Sequence, residues 1–190
     1  LLGSAPVVGE SGVGFVVGPG QEPDFQMDME ALEALVTKNP QAGIVNSPNN
    51  PSGVVYSRET LQKLGALLEE KSREYGHPVY IVSDEPYREL VYDGTQVPFV
   101  PAIYRDIIVC YSYSKSLSLP GERIGYIYLP RKATDGAALQ AALAGAARPI
   151  RHVFAPPLPP QVLARCTPIP PHLLCTSHNL PTLHAPPLPP

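Results

Sequence analysis

Several polar side chains stand at or just beyond the ends of apolar segments, and one of them is a lysine. The apolar run Ile107–Tyr111 ends at Ser112, and Lys115 follows three residues later. Asp84 ends a second apolar run, and Arg123 lies eight positions beyond Lys115, after a Pro-Gly turn. A lysine amine becomes a nucleophile when it loses its proton, and partial burial lowers the pKa of a lysine. These residue types therefore predict covalent chemistry on an amine.

A lysine of this kind serves pyridoxal phosphate (PLP), a cofactor that makes further demands on its site. The ring nitrogen needs a carboxylate that keeps it protonated, and the phenolic oxygen needs hydrogen-bond donors. The phosphate needs an arginine, hydroxyl groups and free backbone N–H groups. The sequence offers a candidate for each demand, and every candidate lies at a predicted strand end or in an adjoining turn.

The elements that must position these residues alternate between strands and helices. Apolar runs predict strands within Gly14–Gly20, Gly43–Asn46, Val79–Asp84, Ile107–Ser112 and Ile124–Pro130. Asp28 and Ser57 are expected to cap two helices, and Gly76 is expected to end the second. Runs that are apolar on both faces favour strands covered by helices on both sides, so we expect a three-layer α/β/α fold with a mainly parallel sheet. Ligands of such sheets bind beyond the carboxyl ends of the strands.

Three segments together resemble a known enzyme family. NSPNNPSG, SDEPYREL and SYSKSLSLPGERIGY are similar to motifs of the class I and II aminotransferases, which are fold-type I PLP enzymes. The spacings that match are Asn-Pro-Ser-Gly, Asp-x-x-Tyr, Ser-x-x-Lys, and Lys followed eight residues later by Arg. One such motif is a weak signal, whereas four in order within 75 residues are specific. The resemblance covers residues 13–147 and implies part of the large domain of a PLP-dependent transferase.

The resemblance also implies a role for each candidate residue. Lys115 would hold the cofactor covalently and move a proton between the substrate Cα and the cofactor, and Asp84 would pair with the ring nitrogen. The remaining contacts would come from four residues, Asn50 and Tyr87 at the phenolic oxygen and Ser112 and Arg123 at the phosphate. The Asn50–Pro51 bond would be cis. Members of the family act as homodimers on an amino acid and a 2-oxo acid.

Each of these residues also has an ordinary structural interpretation. Lysines are mostly surface residues, and Arg123 can form an exposed ion pair with Glu122. Asp84 can cap a following helix, and Tyr87 can belong to the core. The joint spacing, rather than any one residue, favours the functional interpretation.

Two alternatives come from other classes of protein. Ser112 and Lys115 fit Ser-x-x-Lys, the acylating pair of an acyl-transfer hydrolase, but the chain has no Lys-Thr-Gly element, and the serine is expected to close a strand rather than to open a helix. The second alternative is a catalytically inactive remnant of the PLP fold whose Pro-rich tail acts as a peptide ligand. APPLPP occurs twice, at Ala155–Pro160 and Ala185–Pro190, and such segments favour a polyproline conformation that aromatic grooves bind.

The composition changes sharply near residue 147. All 17 acidic residues lie at or before Asp135, whereas 13 of the 25 prolines lie beyond residue 147. We therefore expect a partial transferase domain at 1–147 and a Pro-rich, irregular tail at 148–190. The expected activity is that of a transaminase impaired by the parts of the family fold that this sequence lacks.

Charge and cysteine content exclude several other classes. The net charge of −3 argues against a nucleic-acid partner, because phosphate binding needs clustered lysine and arginine. The three cysteines share no metal-binding or redox spacing, which favours a reducing, cytoplasmic location and predicts no metal site. No apolar run approaches the length of about 18 residues that predicts a membrane span.

Overall fold

A computed structural model describes residues 14–18, 20, 24–36 and 40–147 of the chain. The predicted tail at 148–190, with both APPLPP segments, lies outside the described residues, so the domain boundary at 147 stays a prediction. Within the described ranges, no helix is long and apolar enough to cross a membrane.

The centre of the fold is a five-stranded sheet. Its strands are β1 (Gly14–Val17), β2 (Ala42–Asn46), β3 (Tyr80–Asp84), β4 (Ile107–Ser112) and β5 (Gly125–Tyr128). The strands lie side by side in chain order, β1 to β4 are parallel, and β5 is antiparallel to β4. The predicted α/β class with a mainly parallel sheet is confirmed.

The first two of the three connections between parallel strands contain helices with the predicted caps. Helix α1 (Met29–Leu35) begins after Asp28, whose side chain accepts a hydrogen bond from the Ala31 N–H. Helix α2 (Arg58–Tyr75) begins after Ser57, whose hydroxyl accepts from the Thr60 N–H, and ends at Gly76 with φ of 73°. A left-handed φ of this kind favours glycine, which has no Cβ.

Two further helices follow β4 and β5. Helix α3 (Tyr113–Ser116) is a single turn. The alanine-rich segment Ala133–Arg148 is expected from its sequence to be helical, and helix α4 (Gly136–Ala147) begins three residues after the start of that segment. The helix cannot begin earlier because Asp135 has a left-handed φ of 52°, and the Thr134 N–H before it donates to the Asp106 carboxylate at 2.7 Å.

Helices α1 and α2 pack on the same face of the sheet and form the core with it. Leu64 and Leu68 of α2 are fully buried, and each contributes about 1.5–3 kcal/mol by leaving water. The sheet residues that meet the helices alternate along each strand and include Phe15, Val45, Ile81, Ile107 and Val109. Gly43 is required in this layer, since a Cβ there would lie 2.3 Å from the Phe15 ring.

The opposite face of the sheet is only partly covered by the described residues. Ile44 is 43% exposed, Val82 beside it on β3 is half-buried, and Ile108 beside Val82 on β4 is buried. Successive side chains of a strand point to opposite faces of the sheet. By this alternation and the strand register, Asn46, Asp84 and Ser112, at the carboxyl ends of β2, β3 and β4, all point to the partly covered face. The strand order therefore brings these three polar residues to one edge of one face.

Candidate active site

Asn46, the last residue of β2, links two of the predicted site residues. Its Nδ2 donates to the Asp84 backbone oxygen at 3.0 Å and to Asp84 Oδ2 at 3.3 Å. Its Oδ1 accepts from the Asn50 N–H at 2.9 Å. We did not predict a role for Asn46 from the sequence, although it ends a strand at the same edge as Asp84.

The Asp84 carboxyl group lies at the carboxyl end of β3 on the open face. Partial burial raises the pKa of Asp84 above its ordinary value. Among the described residues, no lysine or arginine lies within ion-pair distance of it. The carboxyl group is therefore available to a cationic partner, which would lower its pKa again. Asp84 caps no helix of the described chain.

Asn50, Tyr87 and Lys115 come together although they lie far apart in the sequence. Asn50 Nδ2 donates to the Tyr87 hydroxyl at 3.1 Å. Lys115 Nζ lies 5.7 Å from the centroid of the Tyr87 ring. The Asn50–Pro51 bond is cis as predicted, and the Ser47–Pro48 bond in the same loop is also cis. One tyrosine ring thus joins the loop after β2 to the lysine after β4.

Ser112 ends β4, as predicted, and also caps helix α3, which was not predicted. Its hydroxyl accepts from the Ser114 N–H at 3.1 Å and lies 2.7 Å from Ser114 Oγ. Because Ser112 also opens a helix, its position at the end of a strand does not by itself exclude the acyl-transfer alternative. The described residues nevertheless show no hydrogen bond between the Ser112 hydroxyl and Lys115, and the Lys-Thr-Gly element is absent from the sequence.

Arg123 lies beside α3 in a tight turn. The Tyr113 N–H donates to the Ile124 backbone oxygen at 3.1 Å, which holds the residue after Arg123 against the start of α3. The Arg123 side chain is exposed and donates to the Pro120 backbone oxygen at 3.2 Å. The anticipated ion pair with Glu122 is not formed within the described chain. The backbone beside Arg123 is therefore held against α3, and among the described residues no hydrogen bond joins the guanidinium group to the Ser112 hydroxyl.

A buried ion pair behind the site holds the turn that carries Tyr87. Glu85 is 4% exposed and accepts from the Ser83 hydroxyl at 2.7 Å and from Arg88 Nη1 at 2.8 Å. The Arg88 guanidinium also donates to the Val97 and Pro98 backbone oxygens. We did not predict this pair from the sequence. A Glu-x-x-Arg spacing beside the Asp84 motif was the only signal for it.

Comparison with known proteins gives a consistent result. A family model described as aminotransferase class I and II matches residues 6–165. An aspartate aminotransferase of Thermotoga maritima is 38% identical over 57% of this chain and 28% of that protein. A probable aspartate/prephenate aminotransferase of Aquifex aeolicus is 36% identical over 59% of this chain and 28% of that protein. The chain thus spans less than a third of the length of these curated relatives.

A solved structure agrees with this similarity. The crystal structure of an amino transferase from Eubacterium rectale is 56% identical, with a TM-score of 0.70 over 73% of this chain and 35% of that chain. The likeness extends from the sequence motifs to the arrangement of the sheet and its helices. The resemblance that the motifs predicted is therefore confirmed, and the chain belongs to the class I and II aminotransferases.

Proposed function

We propose that the carboxyl edge of this sheet binds pyridoxal phosphate and that the protein to which the chain belongs is a transaminase. Class I aminotransferases of the aspartate aminotransferase type use this cofactor. The proposal rests on the way three residues converge. Lys115 Nζ lies 5.7 Å from the centroid of the Tyr87 ring, and Asn50 Nδ2 donates to the Tyr87 hydroxyl at 3.1 Å. A lysine, a phenol and an amide at one edge of a sheet form the donor set that the aldehyde and phenolic oxygen of the cofactor require.

The residues fit the cofactor by their chemistry. The Asp84 carboxyl group has no cationic partner in the described chain, and Asn46 fixes its orientation from the neighbouring strand. Asp84 would pair with the ring nitrogen and keep it protonated. Because Asn50 already donates to the Tyr87 oxygen, the phenol proton of Tyr87 remains free to be donated to the phenolic oxygen. Ser112 and Arg123 would bind the phosphate.

The cofactor supplies an electron sink for the bond that breaks at the substrate Cα. The chain supplies the amine of Lys115, which forms no ion pair with another described residue. This amine would hold the cofactor and would then accept and return the proton at the substrate Cα. Asp84 would stabilise positive charge on the ring throughout, because a carboxylate beside a cation favours the charged form of both.

The substrates we propose are an amino acid and a 2-oxo acid, which places the protein in amino acid metabolism. Two of the relatives are named for aspartate and one of these also for prephenate, but the described residues include no contact that selects one donor. We also propose a homodimer and a cytoplasmic location. Turnover by the 190-residue chain itself is expected to be weak, since it spans 28% of the length of these relatives.

The binding proposal is tested by reductive trapping. The purified chain is mixed with pyridoxal phosphate and reduced with borohydride, and the modified lysines are identified by peptide mapping. We expect Lys115 to be labelled at low cofactor concentration, well before Lys132, because both side chains are exposed but only Lys115 lies beside the Tyr87 ring. The matched variants are Lys115→Ala and Lys132→Ala, of which only the first should abolish the low-concentration labelling. Equal labelling of the two lysines in the unmodified chain would refute the proposed site.

A further inference from the structure

Lys115 lies on a helix that cannot hold itself in place. Helix α3 has four residues, and its closing bond from the Leu117 N–H to the Tyr113 backbone oxygen is long, at 3.3 Å. A single helical turn is unstable in isolation, because it fixes several residues for one hydrogen bond. The position of the Lys115 amine must therefore be set by contacts from outside the helix.

One such contact is made by the hydroxyl of Tyr111, a residue of β4. Tyr111 Oη lies 2.7 Å from Glu89 Oε2 and 2.7 Å from Ser116 Oγ. An ionised carboxylate only accepts hydrogen bonds, so Tyr111 donates to Glu89 and accepts from the Ser116 hydroxyl. The three groups thus form a chain of hydrogen bonds in one direction, and each bond polarises the next.

The two ends of this chain belong to the two parts of the candidate site. Glu89 lies two residues after Tyr87, and Ser116 follows Lys115 directly. Tyr111 Oη therefore connects the turn that carries Tyr87 to the helix that carries Lys115.

The surroundings of Tyr111 make the connection rigid. The residue is only 8% exposed. Its ring stacks on the Tyr126 ring with 4.9 Å between the centroids, and it packs edge-to-face with the Tyr113 ring at a centroid distance of 5.2 Å. These aromatic contacts leave the ring little freedom to rotate. Burial also raises the pKa of Tyr111, so its hydroxyl keeps the proton that it donates to Glu89.

We propose that Tyr111 is a positioning residue, whose hydroxyl fixes the Lys115 amine relative to the Tyr87 ring. The inference rests on the proposed PLP site. The Tyr111 side chain lies on the opposite face of the sheet from Cys110 and Ser112, because side chains alternate along β4, and no hydrogen bond between its hydroxyl and the Lys115 amine is formed among the described residues. It acts through Ser116 and Glu89 alone.

The test compares Tyr111→Phe with Tyr126→Phe in the full chain. The first variant removes both hydrogen bonds, whereas the second removes a hydroxyl from the same aromatic cluster and leaves both bonds intact. We expect Tyr111→Phe to lower the trapping of pyridoxal phosphate at Lys115, relative to Lys132 in the same sample, by about tenfold. Tyr126→Phe should leave this ratio unchanged. Ser116→Ala removes one of the two bonds without touching the ring cluster and should cause a smaller loss, of about threefold.

A second readout does not involve the cofactor. The lysines are dimethylated with ¹³C, and the Lys115 signal is assigned by its loss in Lys115→Arg. The Tyr87 ring current should shift this signal in the unmodified chain and in Tyr126→Phe, and the shift should diminish in Tyr111→Phe and Ser116→Ala. If the unmodified chain does not trap the cofactor at Lys115, the proposed function fails, and the NMR comparison still decides whether Tyr111 positions the amine.

Two results would overturn the inference. The first is a Tyr111→Phe variant that retains both the trapping ratio and the Lys115 chemical shift. The second is a Tyr126→Phe variant that loses them to the same extent, which would assign the effect to packing of the rings rather than to the hydroxyl.

Discussion

Replacement of Arg88 by methionine should destabilise the chain far more than the loss of an ordinary ion pair. Methionine keeps most of the apolar stem of arginine but removes the guanidinium group that lies 2.8 Å from Glu85 Oε2. The Glu85 side chain, 5% exposed, then remains buried with only the Ser83 hydroxyl as a partner. The Val97 and Pro98 backbone oxygens lose their donor in the same step.

The magnitude follows from the burial of Glu85. Removing one partner of a buried ion pair costs about 3–5 kcal/mol, because the remaining charge has neither water nor a counter-ion. A domain of this kind has a free energy of unfolding of about 5–15 kcal/mol in total. A double variant, Glu85→Gln with Arg88→Met, removes the uncompensated charge and should regain about 2 kcal/mol of the loss.

Urea unfolding followed by circular dichroism measures these differences as shifts in the midpoint at a common slope. The control is Lys63→Met, which breaks the exposed pair between Lys63 and Glu59 and should leave the midpoint unchanged. The reasoning would be refuted by equal midpoints for Arg88→Met and Lys63→Met. It would also be refuted by a double variant no more stable than Arg88→Met alone, because the cost would then not arise from the unpaired charge.

Three further predictions concern other parts of the fold. Gly125→Ala should lower the free energy of unfolding by about 2 kcal/mol or more, because the new Cβ would lie 2.2 Å from the Tyr111 backbone oxygen. In thermal melts the control Gly121→Ala, whose Cβ would enter open space, should leave the midpoint unchanged. Because burial raises the pKa of Asp84 in the folded chain, the folded state holds this proton more tightly than the unfolded state. The stability contributed by Asp84 should therefore fall as the pH rises from about 4 through the folded pKa, and Asp84→Asn should flatten that fall in thermal melts. The Tyr56 hydroxyl is buried without a hydrogen-bond partner in the described chain, and burial raises its pKa to about 12. Tyr56→Phe should therefore raise the free energy of unfolding by about 1 kcal/mol, and a lower urea midpoint would contradict this explanation.

The candidate site could be predicted only in part. The residue types at the strand ends are visible in the sequence, and the structure brings Asn50, Tyr87 and Lys115 together as the motif spacing suggested. Tyr111 carried no signal of its own, and the position of Asn46 at a strand end did not by itself assign it to the site. Asn46 belongs to the site because β2 pairs with β3 in a register that places it opposite Asp84, 38 residues away.

The sequence by itself determined the features that depend on neighbouring residues. Asp28, Ser57 and Gly76 set the ends of their helices through bonds that span no more than four positions, and the apolar runs marked the five strands. Only the tertiary structure decided that α4 starts at Gly136 and that a tyrosine of β4 joins Glu89 to Ser116. These contacts join residues that are distant in the chain, so they depend on strand register and on the packing of one element against another. Local propensity carries no information about either.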